Sequence, residues 1–551
     1  MTQTTGASTA STTRQGLTGG TLLAAAVAVG LAQVALAIPA VFNGLFQQDL
    51  HTSSSQLTWI SDAFLVPVTL LELTSGVIGD LFGRKRLLVG GAALLTIGSI
   101  VCVLTPGASA STQTRVLVLL SGQIIAGIGA AALFPTTLAM VAAGTHGAHE
   151  RARALTIWAA ALSTGGAVSP VLGGLVAKMS FGSDQYASWR WGFIAVAILS
   201  VISLVISLLF ARDSSAPAGR SLDWPGQITI AIAVFTLLFG VIQGPTDGWG
   251  STRVVGSFII SAVFLVLFVL SERRTDTPLL HLSLFSNRVF AVASIATVLG
   301  MLAFLGTAYA TSIRLSAIQG FSPLKSSIAF VLLNGIALAM IPVTHRVMVR
   351  FNPRWIMGAG LVLIGVGDLW MSQLSAAHVS VGPVIAPLAL VGIGFALAVS
   401  AVSAVAVNSV PNGLAGMASA ATSLLRDLGF TLGPAVIGAI ALSRAASEMQ
   451  EKIAGSPALQ HALAAFNAAP QHATGAQKAA LEEAVGAVNS GPLGANAVPA
   501  AVNPVHNVAF NALNNAYSIG YIICGVLALV AAALAIFVLA GGGNEEAPAE
   551  A

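Results

Sequence analysis

Glu72 stands between Leu70, Leu71 and Leu73, a lone carboxyl in an apolar stretch with no base beside it in the chain. An ionisable group in such a setting is costly and is a functional candidate by default. Its chemistry is reversible proton uptake or pairing with a cationic solute. The alternative is a neutral acid that donates one structural hydrogen bond. Asp62, expected at the wetted outer end of the same stretch, and Asp368, in a later one, are further candidates for proton coupling. Gln33, Asn43, Gln123 and Asn334 are neutral polar groups in or beside apolar stretches. Each could line a cavity and hydrogen-bond a solute, or bond a neighbouring helix carbonyl.

A different chemistry sits in Gly76, Gly79, Asp80, Gly83, Arg84, Lys85 and Arg86, a charged turn between two apolar stretches. The three bases hold a turn on one side of a membrane. The glycines would let the helix before the turn approach a neighbour, and Asp80 would face the positive N-terminal end of another helix. Contacts of that kind close one side of a moving protein and break when it opens. Gly165, Gly173 and Gly174 with Pro170 and Ser169 form a second group. Glycine and proline both cost helix stability, so their use inside a helix implies close packing with a bend.

The elements that must position these residues are membrane helices. The chain has 551 residues, of which 56% are apolar and only 8% charged. A soluble domain carries roughly 25% charged residues. Stretches of about 20 apolar residues cross the hydrocarbon as helices, because backbone groups in lipid must be satisfied internally. Fourteen such spans are expected, near 19–40, 56–78, 87–106, 115–140, 153–176, 188–210, 224–243, 253–271, 289–311, 327–345, 354–373, 382–405, 415–440 and 517–540. With the N-terminus inside, Arg84, Lys85, Arg86, Arg151, Arg153, Arg212, Arg220, Arg273, Arg274 and Arg288 fall in cytoplasmic loops, and His345, Arg346, Arg350, Arg354 and Arg426 follow on the same side. That bias follows the positive-inside rule.

The expected architecture is therefore all-α and polytopic. A polar tail (1–18) precedes a six-helix bundle (19–210). A linker with two extra spans (211–288) leads to a second six-helix bundle (289–540), and a cytoplasmic tail (541–551) ends the chain. Segment 441–516 is Ala-rich, with weak apolar spacing at Leu459, Leu463 and Phe466. It is expected to be extracytoplasmic and partly helical, as a lid or a passive linker. Cys102 and Cys524 fall in apolar runs and imply neither a disulfide framework nor a metal site. Basic residues are scattered rather than clustered, so no nucleic-acid partner is implied. No catalytic constellation is visible, and the chain does not read as an enzyme.

Gly76-Val77-Ile78-Gly79-Asp80-Leu81-Phe82-Gly83-Arg84-Lys85-Arg86 resembles the loop 2–3 signature of the major facilitator superfamily, with Leu81 where an arginine is common. Gly165 to Gly174 resembles the fifth-helix signature of that superfamily's fourteen-span drug/proton antiporter branch, with Ser169 in place of a central glycine. Trp59 with Phe64, Trp189-Arg190-Trp191, Asp223-Trp224-Pro225-Gly226, Trp249, Gly320-Phe321-Ser322-Pro323 and Arg426-Asp427-Leu428-Gly429 extend the likeness over nearly the whole membrane body. In the resembling fold, Asp80 would face the helix beginning near Gly413–Gly416.

The resemblance implies a monomeric secondary transporter in the cytoplasmic membrane. It would move a lipophilic drug or natural product outward by alternating access, with the proton gradient as energy source and no cofactor. Two positions depart from it. Gly30 stands where the branch carries an acid in the first helix, and Gln123 where it carries an arginine in the fourth. These departures keep a second reading open, an uncoupled facilitator of a lipid or metabolite with the same fold.

Overall fold

The computed structural model describes residues 17–145, 148–182, 184–215, 221–275, 278–377, 380–410 and 415–538. Nearly all of segment 1–18, all of 541–551, and Gly413 and Leu414 beside the expected partner of Asp80 lie outside them. Fourteen helical spans are long and apolar enough to cross a membrane. They are α1 (Gly19–Leu50), α2 (Ser54–Phe82), α3 (Arg84–Val103), α4 (Thr112–Ala143), α5 (Arg153–Val176), α6 (Tyr186–Phe210), α7 (Trp224–Asp247) and α8 (Thr252–Glu272). The others are α9 (Arg288–Ile318), α10 (Pro323–Arg350), α11 (Pro353–Ser372), α12 (Gly382–Ala406), α13 (Met417–Ala454) and α14 (His506–Phe537).

Local chemistry sets where these spans start and bend. Ser53 and Gln56 form a reciprocal capping box at the start of α2. Asp223 caps α7 through the Gly226 N–H at 2.8 Å, with Pro225 in the first turn. In α1, Pro39 falls in a 3₁₀ turn at Ile38–Phe42. Two π turns, Ile313–Ile318 in α9 and Val331–Gly335 in α10, open the backbone where the two sets of helices meet. Both α1 and α9 run past their expected ends, because these turns continue the helix rather than end it.

The faces left uncovered are apolar. Ile198, Ile202, Val205 and Leu209 on α6, and Ile259, Val263 and Val266 on α8, are all exposed, as lipid-facing side chains are. With lipid outside, burial of oil cannot by itself draw helices together, so close backbone approach does. A Cβ on Gly129 of α4 would lie 2.6 Å from the Gly91 carbonyl of α3. The equivalent contact in the second half joins α11 and α12, where a Cβ on Gly360 would lie 2.6 Å from the Gly394 carbonyl. The α1–α5 contact through Gly30 and Gly165 has its counterpart between α9 and α13, where a Cβ on Gly433 would lie 2.6 Å from the Gly306 nitrogen. The first six spans thus pack among themselves as the last six do.

The α7–α8 hairpin lies against one seam between the two sets. Gln227 donates to the Leu70 carbonyl at 2.5 Å and Ser55 to the Ile242 carbonyl at 3.0 Å, which ties α7 to α2. Val66, Leu238, Ile242 and Ala435 form an apolar contact that ties it to α13 as well.

Three expectations change. Segment 441–516 is shorter than read from sequence: α13 runs on to Ala454 and α14 starts at His506. Its alanines are good helix formers, so they extend the flanking helices. Between them lie helices Pro457–Ala468, Gly475–Asn489 and Pro492–Ala497. Arg426, grouped by sequence with the cytoplasmic bases, lies well inside α13. Asp62 is fully buried at the break between Ser54–Asp62 and Leu65–Phe82, not wetted.

Replacing Gly165 by Val is expected to force α1 and α5 apart, with a loss of about 1–3 kcal/mol. A Cβ there already meets the Gln33 Cβ at 3.0 Å. Gly90→Ala, where nothing lies within 4 Å of the added carbon, is expected to be neutral or slightly stabilising. Thermal denaturation in detergent checks both.

Candidate functional site

A cavity of about 290 Å³ lies between the two sets of six spans. Gln33 and Asn43 of α1, Glu72 of α2, Trp158 of α5, Asn334 of α10, and Ser423, Arg426 and Asp427 of α13 reach its wall. Its apolar part includes Phe134, Phe304, Phe330, Phe395 and Phe430. Phe304 and Phe395 stack with centroids 3.7 Å apart and planes 8° from parallel, and Phe430 leans on both. The result is an aromatic wall beside a small polar cluster, the composition of a small-molecule site.

That cluster is the charged heart of the cavity. Arg426 donates to Asp427 through Nε at 2.9 Å and through its terminal nitrogen at 3.3 Å. The Glu72 carboxyl lies beside the Asp427 carboxyl, with Arg426 close by. Glu72 Oε2 is buried without a partner. One base and two acids therefore meet on one wall, with room for a proton to come and go.

A layer of hydrogen bonds joins the two halves at mid-span and beyond it, toward the face that carries segment 441–516. Thr69 donates to the Asp427 carbonyl at 3.0 Å and its hydroxyl meets Thr431 at 2.6 Å. The hydroxyls of Thr58 and Tyr309 lie 2.9 Å apart. Asn43 donates to Ser312 at 2.8 Å, and Ser312 donates to the Ala40 carbonyl.

The other sequence-derived candidates lie elsewhere. Asp62 is absent from the cavity wall, and both its oxygens are buried without partners. Asp368 is buried in the second half, where Thr307 donates to it at 2.7 Å. Gln123 is buried in α4 away from the wall, and its amide nitrogen has no partner. In the charged turn, Arg84 binds Asp80 at 2.8 Å, and the Arg84 N–H donates to the Ser214 carbonyl. The Lys85 N–H donates to Asp213 at 3.0 Å. Gly83 has φ of 106° and would clash with Asp213 if it bore a side chain. A Cβ on Gly76, in contrast, would meet only ordinary contact, with Pro135 at 3.6 Å. In α5, Ser169 donates to the Val34 carbonyl at 2.9 Å, Pro170 reaches the cavity, and Gly173 and Gly174 abut Val41 and Leu324.

Sequence reasoning missed Arg426 as a cavity residue, although its place inside an apolar span was the signal. It also missed the aromatic wall, whose members are distant in the chain. A third feature was unforeseen. Asp49 is buried and accepts from Trp189 at 2.7 Å, from Arg190 at 3.1 Å and from Arg115. This cluster locks α1, α4 and α6 together and is fully partnered.

The sequence profile described as Major Facilitator Superfamily matches residues 22–434. The chain belongs to that superfamily. It is thus a secondary transporter and not an enzyme, and among the described residues no group of side chains could hold a metal ion. The multidrug resistance protein Stp of Mycobacterium tuberculosis (strain CDC 1551 / Oshkosh) is 30% identical over 81% of each chain. The tetracenomycin C resistance and export protein of Streptomyces glaucescens is 27% identical over 95% of this chain and 93% of its own. A solved bacterial homologue of the human lysosomal transporter Spinster, inward-facing and occupied, has a TM-score of 0.62 at 17% identity. That likeness covers 94% of this chain and 96% of the other, and at such identity it speaks for the fold alone.

Arg426→Gln removes the only base facing two acids and is expected to destabilise the protein. Adding Glu72→Gln should recover part of the loss, with a coupling of about 1–3 kcal/mol between the two positions. A double-mutant cycle in detergent measures this; additive effects would mean that the two side chains do not interact. Asp49→Ala strands two buried guanidinium groups and is expected to cost about 3–5 kcal/mol by the same measurement.

Proposed function

We propose that this transporter exports a lipophilic small molecule across the cytoplasmic membrane in exchange for protons. Glu72, Asp427 and Arg426 handle the proton, and the phenylalanine wall holds the substrate. The observation that carries this reading is the meeting of two acids and one base on the wall of a cavity shared by both halves. When the Glu72–Asp427 pair holds a proton, Arg426 balances the one remaining negative charge. When the proton leaves, two negative charges face one guanidinium. A substrate that lies against the aromatic wall and contacts this cluster then competes with the proton, which is what exchange requires. The names of the drug-resistance relatives agree with export.

The moving units in this reading are 19–210 and 289–540, which rock about the cavity, with 211–288 between them. The N-terminus and the Arg84 turn face the cytoplasm, which puts the clustered bases inside. The hydrogen-bond layer from Thr69 to Asn43 then closes the outer side. Gly30 supports the second reading, an uncoupled facilitator, because no acid stands at that position of α1.

Inverted vesicles energised by respiration should accumulate a lipophilic dye, and a protonophore should abolish the accumulation. Glu72→Gln should retain binding and substrate counterflow yet lose acceleration by a pH gradient. Full proton-driven accumulation by this variant would remove Glu72 from the mechanism. Counterflow that ignores pH in the unmodified protein would favour the facilitator.

A further inference from the structure

The second seam between the halves, α5 against α10, is not covered by α7 and α8. Toward the face that carries segment 441–516 it opens into a crevice of about 590 Å³. The apolar part of its wall is Val41 and Leu45 of α1, Ala177 just past α5, and Leu324 and Ile328 of α10, with Ser316 of α9 beside them. Its rim is polar and of one sign. Lys178 and Lys325 both reach it, Lys325 with its ammonium 3.6 Å from the Phe321 ring centroid, and no carboxylate lines it. The acids adjoining lining residues in sequence are both bonded: Asp49 accepts from Trp189 and Arg190, and Asp184 accepts the Tyr186 N–H at 2.8 Å.

A narrow layer separates this crevice from the central cavity. A Cβ on Gly44 would lie 2.8 Å from the Ser316 carbonyl oxygen, and one on Gly174 2.6 Å from the Leu324 Cα. The lining residues of the two spaces alternate along α1 and α9: Ala40 and Asn43 face the cavity, whereas Val41 and Gly44 face the crevice. Ser312 and Ser316 divide in the same way.

We propose that this crevice is a binding site for an anionic phospholipid. The phosphate sits between Lys178 and Lys325, and an acyl chain runs along Val41, Ala177, Leu324 and Ile328. Charge complementarity selects this occupant. Two ammonium groups at the mouth of an apolar slot open to lipid match one negative head on a long chain, and a basic site at membrane depth recognises anionic headgroups. A bound chain would fill the seam that the α7–α8 hairpin fills on the opposite side, and would hold α5 and α10 together while the outer side is closed. That the leaflet is the outer one rests on the orientation proposed above; binding itself does not.

The purified full chain, stripped of lipid by detergent exchange, is titrated with phosphatidylglycerol or phosphatidylcholine and examined by native mass spectrometry. Phosphatidylglycerol should be retained in preference. Each lysine near an anionic head is worth about fivefold in affinity, so K178Q/K325Q should weaken retention by roughly 30-fold. Equal retention of both lipids, or unchanged retention by the double variant, would overturn the site. So would displacement of the lipid by soluble glycerol phosphate, because the acyl chain would then contribute nothing. In the unmodified protein, a photoactivatable phosphatidylglycerol should label Val41–Gln48 and Phe321–Ile328. Labelling spread over the lipid faces of α6 and α8 would also overturn it. None of these readouts involves transport, so a failed export assay leaves this proposal standing, and the reverse holds too.

Discussion

Close contact between helix backbones is the constraint on which the rest of this structure depends. Lipid offers no gain for burying one leucine against another, so helices associate by packing and by hydrogen bonds. Here glycines let them pack. Gly30 and Gly165 bring α1 onto α5, and Gly306 and Gly433 bring α9 onto α13 in the corresponding place. Those contacts set where Gln33, Ser169 and Pro170 stand, and hence the shape of the cavity. They also restrict chemistry. A side chain at position 30 would start 3.0 Å from the Ala161 carbonyl oxygen, a contact few Cβ atoms tolerate. The absence of an acid at position 30 is thus tied to the way α1 and α5 fit.

The charges missing at Gly30 and Gln123 have counterparts on the cavity wall. Glu72 supplies an acid from α2, and α13 supplies a base and a second acid, Arg426 and Asp427. Comparison with Asp49 shows what sets this group apart. Asp49 has three donors on its two oxygens and is almost wholly buried. Its removal would strand two cations, but nothing in its surroundings invites a change of state. Glu72 has an oxygen without a partner and a second carboxyl against it. A buried polar group left incomplete is expensive, and such expense is found where a site must change its bonding.

Much of the fold was legible because a span is a local property. A run of apolar residues between charged turns names a helix without any knowledge of its neighbours, and all fourteen spans were visible in this way. Gly83 was legible too, since a glycine before three bases suggests a turn that only glycine makes, and its φ of 106° is of that kind. What escaped depends on partners far along the chain. Asp62 read as wetted because sequence places it near a helix end, but it lies at a break that the surrounding spans cover. Arg426 read only as part of a short motif with Asp427; that it also meets Glu72, more than 350 positions away, no local pattern announces. The stacked Phe304 and Phe395 come from different helices, and no periodicity within either announces the stack.

The two seams between the halves are built differently, and this has a consequence for motion. At the α2–α13 seam, α7 is held by side-chain hydrogen bonds from Gln227 and to the Ile242 carbonyl, and by packing on both halves. At the α5–α10 seam the contacts are glycine against backbone and π-helical turns, with few polar bonds. Asn334 reaches only the Phe330 carbonyl of its own helix, at 3.4 Å. Hydrogen bonds in a low-dielectric setting must be exchanged or broken when helices slide, whereas packed apolar surfaces slip with smaller penalties. A rocking motion would therefore pivot more readily along the hydrogen-bonded α2–α13 side and open along the α5–α10 side. The π turns lie on the opening side, where a backbone with one residue too many per turn can change its pitch without unfolding the helix.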